Sequence, residues 1–96
     1  MSKNSDKAIL HLNLMREHFA KIAAGTKPVE YRDCTAYWRK RLEGRQYDIV
    51  QFRNGYATKA PVMQVKFRGV QIIGRGANKQ YAIKLGKILK IQRWKP

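Results

Sequence analysis

The sequence is poor in acidic residues and has none in its second half. Only 6 of its 96 residues are Asp or Glu, against 21 Lys and Arg, and the formal net charge is +15. The last acid is Asp48, and of the 21 basic residues ten precede residue 49 and eleven follow residue 48. This imbalance predicts a polyanionic partner, either nucleic acid or an anionic membrane surface.

The low cysteine content and the lack of long apolar runs exclude further classes of protein. A single cysteine, Cys34, excludes an internal disulfide and a multi-cysteine zinc site, and it suits a reducing cytoplasm. No run approaches the roughly eighteen consecutive apolar residues that a membrane span needs. The opening segment MSKNSDK is typical of neither a signal peptide nor a removable targeting sequence. Because no basic amphipathic helix with a large apolar face is visible, we expect a cytoplasmic protein that binds nucleic acid rather than a membrane.

The hydrophobic content is sufficient for one folded core. It amounts to 44% of the residues, and no repeat or linker divides the chain. We therefore predict a single domain over residues 1–96, in which residues 1–7 form a flexible basic tail. Alternating apolar residues predict a first strand over 8–14. The spacing then becomes helical from Met15 to a stop at Gly25, with Asn13 as a candidate N-cap.

The rest of the sequence predicts one more helix and four more strands. A strand over 28–32 and a helix over 35–43 are predicted first, and three more strands follow, at 48–53, 62–73 and 81–91. Asn54-Gly55 predicts a tight hairpin turn, and the blurred apolar phase after Gly69 predicts a bulge. The last strand should place these apolar residues on one face: Tyr81, Ile83, Leu85, Leu89 and Ile91. The predicted fold is α+β, a small curved mixed β-barrel of about five strands with two short helices.

The segment Gly25 to Arg32, GTKPVEYR, holds the candidate catalytic residues. Glu30 and Arg32 alternate onto one face of the predicted strand, and Lys27 is close enough in sequence to join them. A carboxylate between two cations suits general acid or base catalysis, with the cations stabilising negative charge. The same residues equally suit an ion-pair cluster that anchors the helix–strand junction, which is the commoner arrangement. The residues alone leave both interpretations open.

The pattern Gly-x-Lys-x-x-Glu-x-Arg after a helix resembles the hallmark of the ASCH domain, a PUA-like β-barrel family associated with RNA. The resemblance extends to the opening strand ILHLNL, to AYWRKRL at 36–42, to VQFRNGY at 50–56 and to AIKLGKIL at 82–89. Together these blocks resemble small single-domain bacterial and phage members. The resemblance implies a PUA-like barrel with a cleft, floored by Lys27, Glu30 and Arg32, that faces RNA or a nucleoside.

Several activities are associated with this family: RNA binding, cleavage of single-stranded RNA, and hydrolysis of N4-acetylcytidine. The amidohydrolase branch uses a lysine and a threonine from this region with a later glutamate. Here Lys27 matches the lysine, but Glu30 stands at the threonine position and no glutamate follows Glu43. We therefore expect a protein that binds single-stranded RNA and acts as a ribonuclease. An N4-acetylcytidine amidohydrolase and a non-catalytic module that docks on RNA are the alternatives.

Aromatic residues interleave with cations along the chain, as base stacking beside phosphate contacts requires. Tyr37, Tyr56 and Trp94 are the predicted stacking residues, whereas Trp38, Phe52 and Phe67 are assigned to the core. The predicted RNA-binding set is Tyr37, Arg41, Arg53, Tyr56, Arg68, Arg75, Lys79, Lys84 and Lys87.

The sequence predicts no metal site of fixed protein ligands. His11 and His18, the two histidines, are not accompanied by a carboxylate pattern typical of metal binding. A hydrated Mg²⁺ held by Glu30 or Asp33 together with RNA phosphates is compatible with the sequence, because such a site leaves little trace in it. The sequence indicates no other cofactor and leaves the oligomeric state open.

Overall fold

The computed structural model describes residues 7–95. Over these residues the chain forms five strands, two α-helices and one 3-10 turn. In chain order they are β1 (Ile9–Asn13), α1 (Arg16–Ala23), β2 (Val29–Asp33), α2 (Ala36–Leu42), β3 (Ile49–Arg53), β4 (Val62–Ile73), the 3-10 turn (Gly76–Asn78) and β5 (Gln80–Gln92). The predicted flexible tail lies outside the described residues, except for its last residue, Lys7.

The strands form one mixed sheet in the order β1-β3-β4-β5-β2. β1 runs parallel to β3, and every other neighbouring pair is antiparallel. The sheet curls into a half-barrel whose two edges are β1 and β2. This architecture confirms the predicted α+β class and the small curved mixed sheet with two short helices.

The core lies inside the curl, where α1 packs against the sheet. Leu10 and Leu12 of β1 are each 3% exposed, so the alternation of apolar residues correctly identified the buried face. Helix α1 contributes Phe19 and Ile22, which are one turn apart and face the sheet. Helix α2 forms within the predicted range 35–43, and Thr35 precedes it as the N-cap, where its hydroxyl accepts a hydrogen bond from the Trp38 backbone N–H at 3.3 Å.

The predicted bulge in β4 is confirmed at Gly69. Phe67 pairs with Leu85, but the next pair is Val70 with Ile83, so β4 has an extra residue at this point. Gly69 adopts a φ of +114°, a conformation that glycine reaches without steric cost.

A second irregularity corrects the prediction for β5. Between the pairs Phe67–Leu85 and Val65–Ile88 the extra residue lies in β5 instead. An extra residue reverses the alternation of side chains, so Ile88 packs against the core. Leu89 is 48% exposed, and its predicted place on the buried face of Leu85 is therefore wrong.

The predicted two-residue hairpin turn is also wrong, because a loop over residues 54–61 joins β3 to β4. The Asn54 side-chain amide donates to the Leu14 carbonyl at 2.9 Å. The Gly55 N–H donates to Asn13 Oδ1 at 3.2 Å. These long-range hydrogen bonds hold the loop against the end of β1.

The same contacts explain why Asn13 does not cap α1. Its side chain is engaged by the loop, and Met15 occupies the N-cap position without a side-chain hydrogen bond. The first-turn N–H groups of α1 therefore have no side-chain acceptor at the N-cap.

Candidate functional site

A Schellman motif at the end of α1 positions Lys27. The Gly25 N–H donates to the Ile22 carbonyl and the Thr26 N–H donates to the Lys21 carbonyl, both at 3.0 Å. Gly25 has a φ of +80°, as the motif requires. The chain reverses at this point, and Lys27 returns alongside the helix.

Glu30 lies at the centre of the predicted catalytic residues. It is buried on β2, with 6% of its surface exposed. Its Oε1 accepts a hydrogen bond from Lys27 Nζ and its Oε2 accepts one from Arg32 Nη2, both at 2.8 Å. These two ion pairs are the only salt bridges within residues 7–95. The three signature residues are thus brought together, and both carboxylate oxygens are occupied by cations.

Arg32 also links the two edges of the half-barrel. Its Nη2, on edge strand β2, donates to the Asn13 carbonyl at the end of edge strand β1, at 3.0 Å. Its guanidinium carbon lies 5.0 Å from the centre of the Trp38 ring. This arrangement supports the anchoring interpretation of the cluster, although the anchor spans two strand edges in addition to the helix–strand junction.

His18 is a member of the cluster that sequence reasoning missed. Its Nδ1 lies 3.1 Å from Lys27 Nζ, at hydrogen-bonding distance. Because a lysine ammonium can only donate, Nδ1 of a neutral His18 accepts this bond. The available signal was the helix stop at Gly25, since a reversal there returns Lys27 towards the preceding turns of α1. His18, Lys27 and Glu30 therefore form a continuous hydrogen-bonded chain.

A cavity of about 480 Å³ opens beside this cluster. It is lined by Asn13, Leu14, Met15, Arg32, Asn54, Gly55 and Tyr56. Of the three signature residues, Arg32 is the one on its lining. Tyr56 is 87% exposed at the cavity, where its ring is accessible. The cavity combines a cation, an exposed aromatic ring and Met15, the N-cap residue of α1.

The remaining predicted RNA-binding residues are distributed over several elements. Tyr37 of α2 is 56% exposed, and the Arg41 guanidinium carbon lies 3.5 Å from the centre of its ring. Arg53 donates to the Ala57 carbonyl within the loop over 54–61. The others are exposed: Arg68 on β4, Arg75 and Lys79 on either side of the 3-10 turn, and Lys84 and Lys87 on β5.

Two aromatic residues have structural roles. Trp94, a predicted stacking residue, is half-buried, with its ring centre 4.8 Å from that of Phe19, and its role in stacking stays a prediction. Tyr81 is 1% exposed, and its hydroxyl donates to Glu43 Oε2 at 2.6 Å. This hydrogen bond, reinforced by burial, raises the pKa of Tyr81 to about 12.

Among the described residues, no group of three or more His, Cys, Asp or Glu side chains is placed to hold a metal ion. A cation bound at Glu30 would have to compete with Lys27 and Arg32 for its oxygens. Over residues 7–95, neither helix has the length and apolarity to cross a bilayer.

Comparisons with protein-family models, with curated proteins and with solved structures find no match to this chain. The relation to ASCH domains therefore rests on the sequence motifs and stays a prediction. Function is consequently inferred from the chemistry of the residues themselves.

Proposed function

We propose that this protein binds single-stranded RNA. The observation that carries the proposal is uncompensated positive charge. The eleven basic residues after Asp48 form no ion pair within the described chain, because both salt bridges there belong to Glu30. A polymer of phosphates compensates these charges and releases its own counterions. A free nucleoside carries no phosphate and gains nothing from them.

The cavity beside Arg32 supports a contact with one nucleotide of the strand. The exposed Tyr56 ring offers a face on which a base stacks, and the Arg32 guanidinium supplies a positive charge next to it. Base stacking and phosphate binding are thus available at one place.

Replacing Tyr56 with alanine tests this assignment. Loss of one base–aromatic stack costs about 1–3 kcal/mol, so the affinity for a fluorescent single-stranded RNA should fall roughly 5- to 150-fold in fluorescence anisotropy. Tyr31→Ala is the matched control, since Tyr31 is 46% exposed on β2 and does not line the cavity. Equal affinities for the two variants would overturn the role of the cavity, and absence of RNA binding by the unaltered protein would overturn the proposed function.

Cleavage of the bound RNA is a second candidate function, favoured by the chain formed by His18, Lys27 and Glu30. Transesterification removes a proton from the 2′-hydroxyl and delivers one to the leaving 5′-oxygen. A hydrogen-bonded series of donor and acceptor groups supports both transfers, and Arg32 adds positive charge for the phosphorane.

Labelled single-stranded RNA incubated with the unaltered protein, Lys27→Gln and His18→Gln, with and without EDTA, tests cleavage. We expect each variant to cleave about 10²–10⁴ times more slowly, as loss of a general acid or base predicts. Lys21→Gln, on the exposed surface of α1, should cleave normally. Equal rates in all preparations would identify a contaminant and exclude this candidate. Release of cytidine from N4-acetylcytidine, abolished in Lys27→Gln, would establish the amidohydrolase instead.

A further inference from the structure

A second cavity, of about 600 Å³, lies between the α2–β3 connection and the bulged part of β4. Three cations line it: Arg45 from the connection, and Lys66 and Arg68 from β4. The rings of Tyr47 and Phe67 also line it, and no acidic residue does. The cavity is separate from the one beside Arg32, because the two lie at opposite ends of β3. That strand of five residues is about 17 Å long.

The three cations have their hydrogen-bond donors free. Within residues 7–95, Arg45, Lys66 and Arg68 make neither a salt bridge nor a side-chain hydrogen bond. Asp48, the acid that follows Tyr47 in the chain, accepts a hydrogen bond from the Ala8 N–H at 2.9 Å. Three positive charges around one space match the two negative charges of a phosphomonoester better than the single charge of a phosphodiester.

Gly86 determines the course of the Arg68 side chain. A Cβ atom at residue 86 would lie 2.7 Å from Arg68 Cδ and 3.0 Å from its Cγ. The absence of a side chain there lets Arg68 lie across β5, and the adjacent bulge at Gly69 sets where it leaves β4. The position of this cation therefore depends on backbone features of both strands.

The two aromatic rings form a wall of defined orientation. They meet edge to face, with their centres 5.6 Å apart and an interplanar angle of 70°. The Tyr47 hydroxyl donates to the Arg41 carbonyl, which fixes the ring relative to α2. An apolar wall next to three cations suits a ligand that has a flat base at one end and a phosphate at the other.

We propose that this second cavity is a nucleotide site that binds a phosphomonoester, with the phosphate between Arg45, Lys66 and Arg68 and the base against Phe67. The ligand is either a free nucleoside monophosphate or the phosphorylated end of an RNA strand. Binding of an RNA end rests on the proposed function, whereas binding of a phosphomonoester as such does not.

Titration of the whole protein with uridine 5′-monophosphate and with uridine, followed by NMR or calorimetry, tests the phosphate requirement. We expect the monophosphate to bind at least about tenfold more tightly, since each charge-assisted hydrogen bond contributes that much or more. Arg45→Gln and Arg68→Gln should each weaken its binding about tenfold. Gly86→Ala should weaken it severalfold by displacing Arg68, and Lys21→Gln should leave it unchanged. Equal affinity for uridine and its monophosphate, or unchanged binding in both arginine variants, would overturn the proposal.

A comparison of 5′-phosphorylated and 5′-hydroxyl single-stranded RNA distinguishes the two sources of the phosphate. A preference for the phosphorylated strand that disappears in Arg68→Gln assigns the cavity to an RNA end. Monophosphate binding without such a preference assigns it to a free nucleotide. Tyr56→Ala separates this inference from the proposed function, because it should weaken RNA binding and leave monophosphate binding intact.

Discussion

Replacing Glu30 with alanine is expected to lower the free energy of unfolding by about 3–5 kcal/mol, the usual cost of breaking a buried ion pair from one side. The substitution leaves Lys27 and Arg32 in a partly buried position, with 19% and 20% of their side chains exposed, and without a counter-charge. It also frees Arg32 to leave the carbonyl of Asn13, so the link between the two sheet edges is weakened. Urea denaturation followed by circular dichroism measures the change.

Two variants show whether the loss comes from the cluster. Glu17→Ala removes an exposed acid from the first turn of α1 and should cost no more than about 1 kcal/mol. Glu30→Gln keeps the shape and one of the two acceptor oxygens but not the charge, so its stability should lie between that of the unaltered protein and that of Glu30→Ala. A loss below about 1 kcal/mol in Glu30→Ala would contradict the anchoring role of Glu30.

The affinity for single-stranded RNA is expected to fall steeply as salt rises. Each phosphate contact adds about 0.7 to the slope of log affinity against log salt, so six contacts predict a slope near −4. Such a slope corresponds to a decrease of about 300-fold between 50 and 200 mM salt. Fluorescence anisotropy at several salt concentrations, with one RNA of fixed length, measures the slope.

We expect the basic residues of the acid-free half of the chain to account for this salt dependence of RNA affinity. Lys84→Gln combined with Lys87→Gln should reduce the magnitude of the slope by about 0.7 for each phosphate that the variant no longer neutralises. Lys21→Gln, in the half that contains all the acids, serves as the matched control. A flat salt dependence in the unaltered protein would be incompatible with a polyanionic ligand.

Local patterns predicted the elements of the fold well. Strand alternation identified the buried face of Leu10 and Leu12, and α2 and the Gly69 bulge occur where the sequence indicates them. These features succeed because each depends on neighbours in sequence. Leu89 was misassigned because an irregularity in β5 reverses the alternation, and its position depends on pairing with β4.

In the candidate site, too, some contacts were predictable from the sequence and others depended on the tertiary structure. The i, i+2 spacing of Glu30 and Arg32, with the helix stop at Gly25, correctly predicted that Lys27, Glu30 and Arg32 would meet. The contact of Arg32 with the end of β1 was not predictable, and the helix stop at Gly25 was the one signal for the contact of His18 with Lys27. They depend on how α1 folds back and on how far the sheet curls.

The sequence by itself determined the total charge and the position of every acidic residue within residues 1–48. These two properties led to the expectation of a polyanionic partner. These properties are sums over residues and need no coordinates. Only the tertiary structure decided that Glu30 pairs with two cations while Arg45, Lys66 and Arg68 line one cavity. The reason is that strand register, set by bulges and core packing, determines which distant charges meet.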